Sequence, residues 1–307
     1  MSIEVIHNQK VLVILGPTAS GKTSLAVKLA KKYHGEIISA DSRQVYRGLD
    51  IGTGKDLGEY GQVPYHLIDV ASPMEEFNLA KYQKLALKAI KDIISRGKLP
   101  IITGGTGLYL QAIVDGYRLT PYTPNPKRRA ELEKLSPVKL YSLLSKEKPE
   151  FAANLNNSDK NNPRRLIRYI EIMESGEKKK PTKKKMPYDF LLLGLEQDDE
   201  EMRKRIIKRI KDRLDNEDML GEVERLIDAG VSVSWLNSLG LEYRHLTWYL
   251  QDKLNYEEML ERLGAATYRF AKRQKTWFKR WQKQGREISW ISNFSEANYK
   301  IKAWLKK

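Results

Sequence analysis

The sequence predicts an α/β protein in which a doubly wound, mostly parallel β-sheet is covered by helices on both faces. Short apolar, β-branched runs alternate with longer segments whose apolar residues recur at helical spacing. A glycine-rich stretch connects the first such strand to the first such helix. Sheets of this type bind ligands beyond the carboxyl ends of their strands, so we expect the functional residues at that edge.

The predicted strands are short and lie in two parts of the chain. Each is an apolar run, and they fall at residues 11–15, 36–40, 66–70, 98–103 and 191–195. A helical stretch at 79–96 lies between the third and the fourth strand. From residue 198 onward, the sequence predicts helices joined by brief loops.

The glycine-rich stretch is GPTASGKT at residues 16–23, which fits the phosphate-binding pattern G-x-x-x-x-G-K-[ST] at each fixed position. Backbone N–H groups of such a loop and the N-terminus of the following helix attract anions. We expect Lys22 to reach a terminal phosphate, and Thr23 to reach a phosphate oxygen or Mg²⁺. The pattern leaves open whether the phosphate belongs to a nucleotide or to a pyrophosphate that leaves.

Composition restricts the class of protein. The chain has 307 residues, enough for one large or two ordinary domains, and it has no cysteine, which excludes disulfides and cysteine-based zinc sites. No apolar run approaches membrane-spanning length, and residues 1–10 lack the apolar core of a signal peptide. A cytoplasmic enzyme with no membrane partner is expected.

The middle of the chain differs in character from the rest. Residues 118–186 contain turns at Pro121, Pro124 and Pro126, short basic helices, and the run KKKPTKKK at 178–185. This predicts a small helical insertion that ends in a basic linker. The catalytic core would then comprise residues 1–117 and 187–307.

Polar side chains follow two of the predicted strands. Asp41 comes directly after the second strand, where it would face the phosphate site as a general base or as an indirect Mg²⁺ ligand; the alternative is a carboxylate that caps the next turn. TGGTGLY at 103–109 follows the fourth strand, and its glycines would let a ligand approach the backbone beside the Thr106 hydroxyl. The alternative is an ordinary strand-to-helix turn.

The helix from Glu201 onward contains arginines near an apolar face. At about 100° per residue, Arg203 falls in the middle of the stripe formed by Ile206, Ile207, Ile210 and Leu214, and Arg209 flanks it. A diphosphate would satisfy both guanidinium groups through bidentate contacts. The alternative is that Arg203 reaches out to solvent and Arg209 is solvated.

A second late helix, at 268–286, contains eight Lys or Arg residues and no acid. Phe270, Trp277 and Trp281 would pack on the protein, and the opposite side would carry Lys272, Lys275, Lys279, Lys283 and Arg286. The net charge of +16 favours a polyanionic partner, and a second basic segment lies at 164–168. RNA contact is therefore expected, with a solvated basic face as the alternative.

These motifs together resemble the tRNA dimethylallyltransferase family over nearly the whole chain. The matching stretches are GPTASGKT, ADSRQVYRGLDIGTGK, YHLID, RGKLPIITGGTGLYLQA, RRLIRYIEI, the helix that carries Arg203 and Arg209, and AKRQKTWFKRW. The resemblance implies a P-loop NTPase-like core with an inserted helical domain that contacts the anticodon stem-loop. It also implies transfer of a dimethylallyl group from dimethylallyl diphosphate to N6 of the adenosine immediately 3′ of the anticodon, with Mg²⁺, by a monomer.

The resemblance also implies roles for individual residues. Asp41 would be the general base, with Thr106 beside the reacting centre and Arg203 as a second arginine nearby. The diphosphate site would consist of Gly16, Thr18, Ala19, Ser20, Gly21, Lys22, Thr23 and Arg209, with Thr23 also at the metal. The tRNA contacts would be Asp41, Ser42, Arg43, Gln44, Thr106, Arg129, Arg164, Arg165, Leu166, Ile167, Arg168, Lys272, Arg273, Gln274, Lys275, Lys279 and Arg280.

The sequence departs from the family pattern at a few positions. The usual glycine before Tyr243 is replaced by Glu242, and the usual Asn-Asp before the basic segment reads Asn161-Asn162. Three alternatives stay open: an adenylate isopentenyltransferase acting on free nucleotides, a P-loop kinase or ATPase with Asp69 at Mg²⁺, and a non-enzymatic RNA-binding protein.

Overall fold

The computed structural model describes residues 9–119, 125–175 and 183–307. The chain divides into two compact units, Met1–Gly116 with Lys185–Lys307 and Tyr117–Lys184. The turns predicted at Pro121 and Pro124, and residues 178–182 of the predicted basic linker, lie outside the described residues.

The first unit contains one parallel sheet. Its described strands follow the order β3-β2-β4-β1-β5-β6, and every neighbouring pair is parallel. The strands are β1 Lys10–Leu15, β2 Gly35–Ser39, β3 Tyr65–His66, β4 Leu99–Gly104, β5 Asp189–Leu195 and β6 Ser289–Ile291. The predicted α/β class with a parallel sheet is confirmed.

Two strand predictions need correction. Strand β3 has two residues instead of the predicted five at 66–70, because Leu67 and Asp69 take φ values of 64° and 57°, which are incompatible with an extended strand. Strand β6 lies in the part of the chain that was predicted to be helical. With three residues it is too short to show a periodicity, and its pairing with β5 is a tertiary contact.

Helices surround the sheet and form the second unit. In the first unit they are α1 Lys22–Tyr33, α2 Leu79–Ser95, α3 Gly107–Val114, α9 Asp199–Asn216, α10 Met219–Asp228, α11 Val233–Leu239, α12 Leu241–Leu250, α13 Tyr256–Lys283 and α14 Phe294–Leu305. In the second they are α4 Pro126–Glu133, α5 Pro137–Glu147, α6 Pro149–Ala153, α7 Asn157–Lys160 and α8 Pro163–Glu174. None of these helices is long and apolar enough to cross a membrane.

Both faces of the sheet are buried because successive strand residues point to opposite sides. Val11, Val13 and Leu15 of β1 pack in one apolar cluster with side chains from α2, α3 and α13. Leu12 and Ile14 pack in another cluster with side chains from α1 and α14. Helices α9 to α13 share a third cluster, which holds them beside the carboxyl edge of the sheet.

The second unit has a small core of its own. Four of its described helices begin at a proline, Pro126, Pro137, Pro149 or Pro163, a position where proline does not remove a helical hydrogen bond. The core consists of Leu132, Leu140, Leu144, Ala152, Leu166, Ile167 and Ile170. Contacts from the Leu166 and Ile167 side chains to tRNA were therefore wrongly predicted, since the core of their own unit covers both of these side chains.

Candidate active site

A cavity of about 320 Å³ lies at the carboxyl ends of β1, β2 and β4, the edge at which the sequence predicted the functional residues. The described residues that line it come from the loops after these strands and from α9, α12 and α13. Lys22, Thr23, Asp41, Thr106 and Arg209 are among them. All of these belong to the first unit.

The predicted phosphate-binding loop connects β1 to the N-terminus of α1. Ala19 and Gly21 take left-handed backbone conformations, with φ values of 60° and 80°, and α1 begins at Lys22 immediately afterwards. A residue with a side chain would be strained at Gly21. The turn brings the positive end of a twelve-residue helix to the wall of the cavity.

Two cations of this site are half-buried, and neither is bonded to an acidic side chain among the described residues. Lys22 Nζ donates to the carbonyl of Pro17 at 3.2 Å, and Arg209 Nη2 donates to the Thr18 hydroxyl at 2.7 Å. Burial lowers the pKa of Lys22 to about 8 and the pKa of Arg209 to about 10. Arg209 Nε and the Ser20 hydroxyl are buried and have no hydrogen-bond partner among the described residues. An anion in the cavity would stabilise all of these groups.

The arginine positions on α9 differ from those predicted. The buried face of this helix consists of Met202, Ile206, Ile210 and Arg213, and Arg203 is exposed. Arg205 and Arg209 line the cavity, whereas Arg203 does not. The role given to Arg203 is therefore wrong. The predicted apolar face of α9 included Ile207, but in the structure Ile207 lies beside the buried face and packs against Gly264 of α13.

Arg213 is a further cation of this site that sequence analysis missed. Its side chain is 4% exposed, and its Nη2 donates to both carboxylate oxygens of Asp56 at 2.9 and 3.0 Å. Both residues line the cavity. Its spacing from Ile206 and Ile210 was a signal in the sequence, because position 213 continues that apolar face.

Asp41 and Thr106 lie on adjoining loops. The Asp41 carboxylate accepts a hydrogen bond from the N–H of Arg43 at 2.9 Å, so it also caps the turn, as the alternative had it. The Thr106 hydroxyl accepts from the N–H of Ser42 at 3.1 Å, and the Thr106 N–H donates to the carbonyl of Ala40 at 3.1 Å. Two hydrogen bonds thus connect the loop of Thr106 with the loop of Asp41.

The glycines of the TGGTG turn allow the chain to approach itself. A Cβ at Gly104 would lie 2.2 Å from the carbonyl oxygen of Ala40, and one at Gly105 would lie 2.2 Å from Nε2 of Gln274. The prediction that they let a ligand approach therefore needs correction: the close neighbours are other parts of the protein.

A buried carboxylate holds the loop that forms another wall of the cavity. Glu222 accepts hydrogen bonds from the N–H groups of Asp50, Ile51 and Gly52 at 2.7, 2.6 and 3.0 Å. It also accepts from the hydroxyl of Tyr243 at 2.8 Å. Sequence analysis did not identify Glu222, because its three backbone partners lie 170 or more residues away in the chain.

Comparisons with known proteins match this site and fold to one family. The sequence profile described as IPP transferase matches residues 44–281, and the one described as isopentenyl transferase matches residues 9–62. The tRNA dimethylallyltransferase 2 of Syntrophotalea carbinolica is 47% identical over 281 residues, which cover 91% of this chain and 93% of that protein. This chain belongs to the tRNA dimethylallyltransferase family.

Solved structures agree with this assignment. The tRNA isopentenylpyrophosphate transferase of Bacillus halodurans is 34% identical, with a TM-score of 0.70 over 97% of this chain and 96% of that one. A eukaryotic dimethylallyltransferase acting on tRNA is 29% identical, with a TM-score of 0.75 over 94% of this chain and 75% of that one. The predicted family and the predicted activity, that of a prenyltransferase modifying adenosine 37 of tRNA, are confirmed.

The kinase alternative loses its main support at Asp69. This residue does not line the cavity, and its carboxylate forms an ion pair with the buried Lys55. This ion pair fixes the loop after β3, and Asp69 does not lie at the predicted phosphate site.

The basic side of α13 is partly neutralised within the protein. Lys272 and Lys275 both pair with Asp199 at 2.5 Å, and Arg286 pairs with the buried Asp115 at 2.7 Å. Three members of the predicted row of five cations are therefore paired with acids of the protein, and their contact with RNA stays a prediction. The exposed cations of this part of the helix are Arg269, Lys272, Arg273, Lys279, Arg280 and Lys283.

Phe270 was predicted to pack on the protein, and the structure corrects this. The buried face of this part of α13 consists of Ala271, Gln274, Phe278 and Trp281. Phe270 lines the cavity instead, and the guanidinium groups of Arg43 and Arg273 lie 5.6 and 5.9 Å from its ring centroid.

Two of the predicted arginines of the second unit, Arg129 and Arg168, contact one buried acid. Glu171 is 1% exposed and accepts two hydrogen bonds from Arg129, at 2.7 and 2.8 Å. Arg168 lies 3.5 Å from the same carboxylate, and Arg165 pairs with Asp159. These pairs fix the guanidinium groups at the surface of the unit.

Proposed function

We propose that this chain transfers the dimethylallyl group of dimethylallyl diphosphate to N6 of adenosine 37, using the cavity at the carboxyl edge of the sheet. The observation that supports this is the meeting of two opposite chemistries in one cavity. Half-buried cations, Lys22 and Arg209, lie on one side, and a carboxylate, Asp41, lies on the adjoining loop. A prenyl transfer needs both, because one product is an anion and the nucleophile must lose a proton.

The donor diphosphate would bind to the loop at 16–23. The buried Arg209 Nε and Ser20 hydroxyl, both without partners among the described residues, are donors suited to phosphate oxygens. Lys22, Arg205 and Arg209 would stabilise the negative charge that develops on the diphosphate as the C1–O bond breaks.

The acceptor adenine would face Asp41. Its N6 amine is a poor nucleophile, because the lone pair is delocalised into the ring. As the N6–C1 bond forms and the C1–O bond breaks, the bonding electrons leave with the diphosphate, and the N6 proton passes to the Asp41 carboxylate. Thr106, which is hydrogen-bonded to the Asp41 loop, would orient the base.

Mg²⁺ fits the cavity as a substrate-bound ion. Among the described residues no three His, Cys, Asp or Glu side chains are arranged to hold a metal. The Thr23 hydroxyl is a hard oxygen ligand, and Mg²⁺ in such sites takes its other ligands from phosphates and water. When bound, the ion would neutralise part of the diphosphate charge.

The exposed cations would hold the anticodon stem-loop. On α13 these are Arg273, Lys279 and Arg280, and in the helical insertion at 118–186 they are Arg164 and Arg165, joined by the half-buried Arg129 and Arg168. Single-stranded loops let a base leave its stack at low cost, which brings the target adenine to Asp41. We propose that a monomer acts, because the loop at 16–23, Asp41, Thr106 and Arg209 meet at one cavity within the first unit.

The test is transfer of labelled dimethylallyl diphosphate to three acceptors: a tRNA with adenosine 37, the same tRNA with guanosine at that position, and free AMP. Label in the first alone supports the proposal. Label in AMP but not in tRNA would assign the chain to the adenylate isopentenyltransferases. ATP turnover without prenyl transfer would favour the kinase alternative.

A further inference from the structure

Gln274 of α13 has its side-chain amide buried between two loops of the cavity. Its Oε1 accepts a hydrogen bond from the N–H of Thr18 at 2.8 Å, and its Nε2 donates to the carbonyl of Gly105 at 2.9 Å. The residue is 6% exposed. Thr18 lies in the loop proposed for the diphosphate, and Gly105 directly precedes Thr106. A single side chain therefore connects the donor loop with the loop that lies beside Asp41.

The local backbone leaves little freedom for this contact. A Cβ at Gly105 would lie 2.2 Å from Nε2 of Gln274, so the loop approaches the amide as closely as a glycine allows. One turn further along α13, a Cβ at Gly107 would lie 2.3 Å from Cδ1 of Trp277. Two successive turns of α13 thus fix the position of the segment that carries Thr106.

An amide suits this position because it offers one donor and one acceptor. Glutamate would keep the acceptor for Thr18 but place a carboxylate against the Gly105 carbonyl. Methionine would keep the volume and lose both hydrogen bonds. Both polar groups of Gln274 are bonded within the protein, in contrast to the predicted tRNA contact.

We infer that Gln274 is a positioning residue of the transfer reaction, which sets the separation between the diphosphate loop and the acceptor loop. The inference rests on the proposed function. The attacking N6, C1 and the leaving oxygen must align for transfer, and a displacement of about 1 Å can lower a rate by about 100-fold. Gln274 acts through Thr18 and Gly105, to which its two polar groups are hydrogen-bonded.

The experiment compares Gln274→Met and Gln274→Glu with the wild type. We expect kcat to fall about 10- to 100-fold in Gln274→Met, while the Kd for tRNA stays within about twofold. The Kd for inorganic diphosphate should rise, because the Thr18 loop loses its support. In Gln274→Glu, protonation restores a donor to Gly105, so kcat relative to wild type should recover as the pH falls from about 8 to about 6.

Gln282→Met is the matched control, because Gln282 is exposed on the same helix and away from the cavity; its kcat should match that of the wild type. An unchanged kcat in both Gln274 variants would overturn the inference, as would a raised Kd for tRNA with kcat retained. If Gln274→Met does not fold, the pH dependence of Gln274→Glu decides. A wild type without transferase activity would count against the proposed function, whereas diphosphate binding by the variants still tests Gln274.

Discussion

Arg43 and Glu242 form an ion pair at the wall of the cavity, with Arg43 Nη1 3.5 Å from the carboxylate. Glu242 stands where the resemblance to the family implies a glycine. In the structure the partner of the Glu242 carboxylate is Arg43, which lies in the loop after β2. The Arg43 guanidinium also lies over the ring of Phe270. The Glu242 side chain is 8% exposed and that of Arg43 is 21% exposed.

This pair predicts a coupling in stability. Glu242→Ala leaves a largely buried guanidinium without its partner, which we expect to lower the free energy of unfolding by about 1–3 kcal/mol. In the double variant with Glu242→Ala and Arg43→Ala, the loss of unfolding free energy should be about 1 kcal/mol smaller than the sum of the two single losses. Chemical denaturation of the wild type and three variants measures this difference, and strictly additive losses would contradict the pair.

Lys22 predicts a pH dependence of donor binding. Burial lowers its pKa to about 8, so the free protein loses this charge above that pH, and a diphosphate then binds only with uptake of a proton. We expect the Kd for the donor to be nearly constant below about pH 8 and to rise by up to about tenfold per pH unit above it. Titration calorimetry in buffers of different ionisation enthalpy measures the proton uptake.

The control for this prediction is Lys22→Arg, whose guanidinium stays charged across the range. A donor Kd of wild type that is constant up to about pH 9.5 would contradict the lowered pKa of Lys22. The stability of the folded protein changes with pH in the opposite direction to the affinity for the donor. Between about pH 8 and about pH 10 the unfolded chain binds a proton at Lys22 that the folded protein does not, so the stability of the free protein should rise with pH there.

Asp41 predicts a loss of turnover without a loss of binding. Asp41→Asn keeps an oxygen acceptor for the N–H of Arg43, which preserves the turn, but it cannot take the N6 proton. We expect kcat to fall about 100- to 10,000-fold, the usual range for a general base, with the Kd for tRNA within about threefold. Single-turnover transfer and filter binding separate the two quantities, and an undiminished rate would exclude Asp41 as the base.

Substitutions of Arg203 and Arg205 on α9 should have different effects on the affinity for the donor. Arg205 lines the cavity and Arg203 does not, although both lie on the same helix two residues apart. Arg205→Ala should raise the Kd for the donor about 10- to 100-fold, since hydrogen bonds to a charged group contribute about 1.5–3 kcal/mol. Arg203→Ala is the matched control and should leave the donor Kd within about twofold. Equal effects of the two substitutions would contradict the orientation of α9.

Much of the fold and part of the site could be predicted from local pattern. The strand, loop and helix at 11–33 follow from an apolar run, a glycine with a left-handed backbone and helical spacing, all set by near neighbours. Asp41 and Thr106 could be predicted because the ends of parallel strands meet at one edge of the sheet. Strand β6 could not, since three residues carry no periodicity.

The sequence by itself determined the sheet, the phosphate-binding loop and the two polar side chains at the strand ends, because short-range periodicity and turn chemistry decide these. Only the tertiary structure decided which arginines of α9 face the cavity, since Arg203 and Arg205 lie on nearly opposite sides of the helix and the packing of α9 decides which side faces inward. It also decided that Asp199 neutralises Lys275, 76 residues away, and that Gln274 connects loops 169 and 256 residues distant. Such contacts depend on how the helices and strands pack against one another, and no local sequence pattern indicates that packing.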